Sequence, residues 1–303
     1  MNEDDRSKHR EVLGIAVQEA LLSAAKQAAG PLRRHPGIAA FAAITCLAVL
    51  AESFWFGKLP QRLAYLGAIA ISVFVVDLFT VRQRAAPLPV RRPRLELAIA
   101  AGCLVFSICW LFLHFNAAPA GKSTLAAILF RLAGALVVFN IPIALIDLLA
   151  LRYRLGDLGF RFAAGGLWAV PLILVCFFGL AYLSGATCTI NDIIREEGSL
   201  WRAVPVAIFV AALPEEFFRM TWQTRFGAVT GNAAAAWFLT AFLWSFMHAP
   251  IFHNGEPTWP PALISCLNLV PLGLLWGYVL HRTRSLVPSM ILHIFNVSGL
   301  QNF

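Results

Sequence analysis

Apolar residues occupy whole segments of this chain. Runs of mostly apolar residues recur along almost its entire length, each near the span of about 20 residues that a helix needs to cross a bilayer core. They extend approximately over Gly37–Phe56, Leu63–Val81, Leu95–Phe115, Leu132–Leu151, Ala163–Leu183, Ala203–Phe226, Ala233–Ala249, Ala262–Leu280 and Leu286–Leu300. The last run is short and interrupted by Pro288, so either eight or nine spans are compatible with the pattern. The expected fold is all-α, a polytopic membrane helix bundle of about 8 to 9 transmembrane helices.

Composition agrees with this picture. The chain is 59% hydrophobic and only 13% charged, whereas a soluble domain carries about 25% charged residues. That excludes a soluble enzyme, a disordered chain and a secreted disulfide scaffold. Of the six cysteines, Cys46, Cys103, Cys109, Cys176 and Cys266 lie inside apolar runs and Cys188 in a loop. Without a CxxC or other metal-type spacing they read as free thiols that behave as small hydrophobes.

A net charge of +8 would suggest nucleic acid in a soluble protein. Here the cations sort by side instead. The amino-terminal segment, the Arg82–Arg94 loop, the Arg152–Arg161 loop, Arg225, Arg282 and Arg284 together hold 17 of the 24 Lys and Arg residues. The positive-inside rule places these segments in the cytoplasm, with the amino terminus inside. If all nine spans cross, the carboxyl terminus is outside. No nucleic-acid partner is expected.

The first run begins after Pro36 and lacks a small-x-small exit, so it is expected to remain as an anchor rather than be cleaved. Before it, Val12–Ala29 reads either as an interfacial helix or as a loosely ordered cytoplasmic tail. With no repeat, low-complexity tract or long linker, one membrane domain is expected. It divides into a cytoplasmic or interfacial segment (1–36), amino-terminal helices (37–160) and a carboxyl-terminal core (161–303).

Ionisable residues inside spans each cost about 2.5 to 3.5 kcal/mol on insertion scales, so each needs a reason. Glu52, Asp77, His114 and Asp147 are isolated and lie toward span ends, where a structural or snorkelling role suffices. The sixth span differs. Leu213-Pro214-Glu215-Glu216-Phe217-Phe218-Arg219 places three ionisable groups within five residues, which must face the bundle interior or a wet cavity. At helical spacing Glu215 and Arg219 share a face, and Glu216 also reaches Arg219 at i+3. One arginine cannot neutralise two carboxylates, so one carboxylate is left to hold a proton or act as a base. Pro214, without an N–H, is expected to disturb the helix just before the pair.

Two more polar insertions follow. His248 ends the seventh span, and His293 and Asn296 share a face of the last one. Carboxylate, imidazole and amide are the parts needed to activate water and hold an oxyanion. His253 follows Pro250 in an expected loop, as a loop or substrate contact first and a spare metal ligand second.

This order of motifs resembles the CPBP family of intramembrane proteases, bacterial relatives of the type II CAAX prenyl endopeptidases, also called the Abi family. The resemblance covers about Ala163–Phe303. Glu215-Glu216-Phe217-Phe218-Arg219 matches the first motif in full. The second usually reads Phe-x-x-x-His, whereas Trp244 stands before His248 here. His293 with Asn296 matches the third spacing of many bacterial members, others placing the Asn one residue later.

The resemblance implies a multi-pass protein of the bacterial inner (plasma) membrane and an endopeptidase acting on a membrane protein or peptide. It further implies that Glu215 with His248 activates water and that His293 with Asn296 stabilises the oxyanion. Glu216 and Arg219 would then orient the site. No cofactor is favoured. If a divalent metal such as zinc is present, Glu215, His248 and His293 would be its ligands, although no HExxH pair exists. Two other classes stay open: a proton-coupled transporter, which would require a second acid cluster in the first half, and a catalytically silent binding or immunity protein of the same fold.

Overall fold

The computed structural model describes residues 36–81, 86–115, 141–185, 207–253 and 258–297, with Gln18, Glu19, Leu22, Ser23, Ser199, Trp201, Val204 and Pro205. Among the described residues every regular element is helical, as a chain that must satisfy its backbone in lipid requires. The helices are α1 (Pro36–Trp55), α2 (Leu59–Thr80), α3 (Pro93–Phe115), α4 (Ile141–Leu145), α5 (Ala164–Leu183), α6 (Leu213–Thr230), α7 (Ala233–Phe246), α8 (Ala249–His253), α9 (Pro260–Thr283) and α10 (Val287–Phe295). Wider π-helical turns extend α4 over Ile146–Ala150 and precede α6 over Ala207–Ala212.

Among the described residues four helical segments are long and apolar enough to cross a membrane: Leu59–Thr80, Gly165–Leu183, Ala233–His253 and Pro260–Thr283. Their positions follow the apolar runs closely. Prolines punctuate the starts. Pro60, Pro214, Pro261 and Pro288 sit in first turns, where a missing N–H leaves no helical bond unmade. Pro288 therefore opens the last helix and does not interrupt it. Pro214 does mark a disturbance, seen as the π-helical turn that ends just before it.

Around α9 the bundle packs against α1, α2, α7 and α8, while α2 also packs on α5, and α6 on α3 and α7. Gly273 and Gly277, one turn apart on α9, allow α7 this close. A Cβ at Gly273 would meet Trp244 Cε3 at 2.8 Å, and one at Gly277 would meet Trp237 Cδ1 at 2.6 Å. From Glu216 to Gln223 α6 is buried on all sides, and Arg225 beyond it is enclosed as well. A tight turn at Gly231–Asn232 joins it to α7, Asn232 Oδ1 accepting from the Ala235 amide at 3.0 Å.

Several polar residues have firmer roles than their spans suggest. Asp77 is fully buried and accepts from Tyr278 Oη at 2.7 Å, with Arg282 Nε at 2.8 Å. Asp147 is buried and meets Arg225 Nη2 at 3.1 Å, so neither acid snorkels. Glu52 lies within 3.5 Å of Asn268 Nδ2. Arg225, counted above with the cytoplasmic loop cations, is fully enclosed, because α6 continues to Thr230 and carries it inside the bundle.

Among the described residues, Cys46, Cys103, Cys109, Cys176 and Cys266 form no disulfide, and of these Cys266 is fully buried. The Val12–Ala29 segment apart from Gln18, Glu19, Leu22 and Ser23, residues 82–85 of the basic loop, 132–140 of the fourth span, Cys188, the Thr187–Gly198 loop and the His114 side chain lie outside the described residues.

Candidate active site

Three helices converge on one polar cluster: α6 brings Glu215, Glu216 and Arg219, α7 and its terminal turn bring Trp244 and His248, and α10 brings His293 with Asn296 at its end. All six residues singled out as site residues thus lie on elements that pack around α6 and α9. His253 does not join them. α7 ends at Phe246, and Pro250 sits in the first turn of a new short helix, α8, so His253 stands in that helix and not in a loop. Its ring packs on Trp259 with centroids 4.0 Å apart.

Arg219 chooses between the two carboxylates. Its Nε donates to Glu216 Oε1 at 3.2 Å and its Nη1 to the Gly273 carbonyl at 3.2 Å. The i+3 partner therefore wins over the i+4 partner, and Glu216 and Arg219 form a fully buried pair. His293 Nδ1 also meets Glu216 Oε1, at 3.0 Å. Since a carboxylate only accepts, Nδ1 carries the hydrogen of that bond.

Glu215 is left without an arginine. Its Oε2 accepts from the Trp244 indole Nε1 at 2.5 Å. Two imidazole nitrogens face the same oxygen, His293 Nε2 at 3.5 Å and His248 Nε2 at 3.7 Å. His248 Nδ1 lies 2.8 Å from the Trp244 carbonyl. A carbonyl accepts, so Nδ1 is the donor there, and Nε2 is the ring nitrogen that faces Glu215. A carboxylate oxygen and an imidazole nitrogen thus converge on one small space, an arrangement able to hold a water and take its proton.

The cluster is accessible on one side only. The side chains of Glu215 and His248 are 14% and 15% exposed, against 3% for His293 and none for Glu216 or Arg219. Asn296 is buried, and among the described residues its Oδ1 has no hydrogen-bond partner, nor has the buried Arg219 Nη2.

For a metal, the donor set is of the right type, two imidazoles and a carboxylate. However, Glu215 Oε2 is already engaged by the indole N–H. Among the described residues no group of three or more His, Cys, Asp or Glu side chains is arranged to hold a metal ion.

The sequence pattern marks Trp244 as an aromatic in place of Phe, without the bond of its N–H to Glu215. A buried indole normally finds a hydrogen-bond acceptor, which was the available signal.

Residues 196–298, about a third of the chain, fit the family described as type II CAAX prenyl endopeptidase Rce1-like. No curated protein and no solved structure matches the chain. The matched stretch contains Glu215, Glu216, Arg219, His248, His293 and Asn296. Together with the four apolar helices it makes this an integral membrane protein.

Proposed function

Because residues 196–298 belong to the type II CAAX prenyl endopeptidase Rce1-like family, we propose that the chain hydrolyses a peptide bond of a membrane-associated protein or peptide, with Glu215 as general base. The observation that carries this reading is the division of labour between the two carboxylates. Glu216 is held by Arg219 and His293 in the closed part of the site, while Glu215 faces His248 at its accessible side.

In this mechanism a water lies within hydrogen-bond reach of Glu215 Oε2 and His248 Nε2. Its oxygen attacks the scissile carbonyl as Glu215 takes its proton. The tetrahedral intermediate carries an oxyanion, which Asn296 and the His293 imidazole stabilise. Collapse breaks the carbon–nitrogen bond, and Glu215 returns the proton to the leaving amine. Glu216 fixes the ring of His293, and Arg219 balances the charge of Glu216. No step requires a metal. The substrate class we favour is the membrane anchor or carboxyl-terminal tail of another protein, or a peptide to be matured. A prenylated CAAX terminus is the case that the family description names.

Removing a general base typically slows catalysis by about 10² to 10⁴-fold. Glu215→Ala should therefore abolish the appearance of new protein termini in the membrane proteome of expressing cells, with the variant still inserted and folded. New termini formed at the wild-type rate by Glu215→Ala would refute the reading. The rival transporter reading would use first-half acids, and of these Asp77, Glu96 and Asp147 are each engaged by arginine or tyrosine side chains.

A further inference from the structure

We infer that Trp244 is a positioning residue for Glu215, acting through its indole N–H, an inference that rests on the reading of Glu215 as the base. Trp244 is almost fully buried and touches the other main parts of the cluster. Its Nε1 donates to Glu215 Oε2 at 2.5 Å. Arg219 lies over its ring with Cζ 4.3 Å from the centroid. Its carbonyl accepts from His248 Nδ1 at 2.8 Å, which sets the tautomer of the other water-facing group. The rings of His248 and His293 meet it edge to face, with centroids 5.1 Å and 5.9 Å away.

The geometry assigns it a specific task. Without a fixed donor, Glu215 could rotate toward Arg219 at i+4, one turn along the same helix face. Both carboxylates would then share one guanidinium, and the base would be withdrawn from the accessible side. The indole N–H holds Oε2 toward the imidazoles instead. At the same time the ring face occupied by Arg219 keeps that guanidinium on Glu216 and Gly273. A phenylalanine at this position could supply the ring face but not the donor. The indole itself is held in place by contact with the bare backbone of Gly273.

The test uses the full chain in lipid nanodiscs and two readouts. Ultraviolet resonance Raman difference spectra of wild type minus Trp244→Phe isolate the Trp244 bands. The band sensitive to indole N–H bonding should show a strong acceptor in wild type and lose it in Glu215→Ala. In membranes, new termini that depend on Glu215 should form about 10- to 100-fold more slowly in Trp244→Phe, as expected for loss of one hydrogen bond to a charged group. The effect should fall on kcat and not KM. Benzothienylalanine at position 244, which keeps the bicyclic shape without the N–H, should be as slow as phenylalanine.

Restored activity with benzothienylalanine would reduce Trp244 to packing and overturn the inference. So would wild-type cleavage by Trp244→Phe, or a Raman band unchanged by Glu215→Ala. Cleavage that survives Glu215→Ala would instead overturn the reading of the base itself.

Discussion

Replacing Arg225 tests whether the bundle is held by the second polar cluster on α6. Arg225 is fully enclosed, its Nε 2.8 Å from Glu96 Oε2 and its Nη2 3.1 Å from Asp147 Oδ2. Arg225→Met keeps much of the side-chain length but leaves two buried carboxylates without their cation. Breaking a buried ion pair from one side costs about 3–5 kcal/mol, mostly from the charge left behind. The two acids will not suffer equally. Glu96 retains the Arg92 amide at 2.7 Å and the Tyr153 hydroxyl at 3.0 Å. Burial, and the Glu96 carboxylate beside it, push the Tyr153 phenol up to about 12, so it remains a donor to that carboxylate. Asp147, in contrast, has Arg225 as its side-chain partner.

Most of the penalty should therefore arise at Asp147. The double variant Arg225→Met/Asp147→Asn should recover more stability than Arg225→Met/Glu96→Gln. Unfolding in detergent, followed by circular dichroism with rising dodecyl sulfate, provides the ranking. A single variant within about 1 kcal/mol of wild type, or greater recovery from Glu96→Gln, would refute the argument. Because ten residues of helix separate Arg225 from Glu215, about 15 Å, Arg225→Met should still cleave at temperatures where it is folded.

Two further predictions concern the site. Cleavage should persist in EDTA and in 1,10-phenanthroline, and the purified protein should contain no stoichiometric zinc by mass spectrometry; loss of activity restored by zinc would reverse the metal-free reading. Gly273→Ala should destabilise the α7–α9 contact by about 1–3 kcal/mol and slow cleavage, since its Cβ would meet Trp244 Cε3 at 2.8 Å and the Ala241 carbonyl at 3.2 Å. Gly102→Ala, with nothing within 4 Å of the added carbon, is the control expected to be neutral or mildly stabilising.

The helices were legible because a backbone in lipid has few options and the prolines mark their first turns. The polar cluster was legible for a related reason: Glu215, Glu216, Arg219, His248 and His293 interrupt sequence that is otherwise apolar. Which glutamate Arg219 would take was not legible. Both lie within reach at helical spacing, and the choice is made by Trp244 from α7 and His293 from α10, which no local pattern encodes. Arg225 was misplaced because Phe226 seemed to end the span. The helix runs on to Thr230, and the acids that bind Arg225 come from α3 and from the turn after α4. His253 was misplaced by reading Pro250 as a terminator, whereas a proline in a first turn starts a helix as readily as it stops one.

The first half of the chain carries none of the sequence motifs, yet its buried polar groups repeatedly turn to the second half. Tyr65 donates to the Asn268 carbonyl at 3.0 Å, and Glu52 lies 3.5 Å from Asn268 Nδ2. Asp77 binds Tyr278 and Arg282, while Glu96 and Asp147 bind Arg225. An isolated α6, with Glu215, Glu216, Arg219 and Arg225 on a single span, would cost roughly 10–14 kcal/mol to place in lipid on insertion scales. Two of the acids that offset this cost lie on α3 and the α4 extension, outside the stretch that matches the protease family. The amino-terminal helices therefore contribute to the site without entering it. They neutralise the far end of the helix that carries Glu215, and so allow a segment this polar to remain in the membrane.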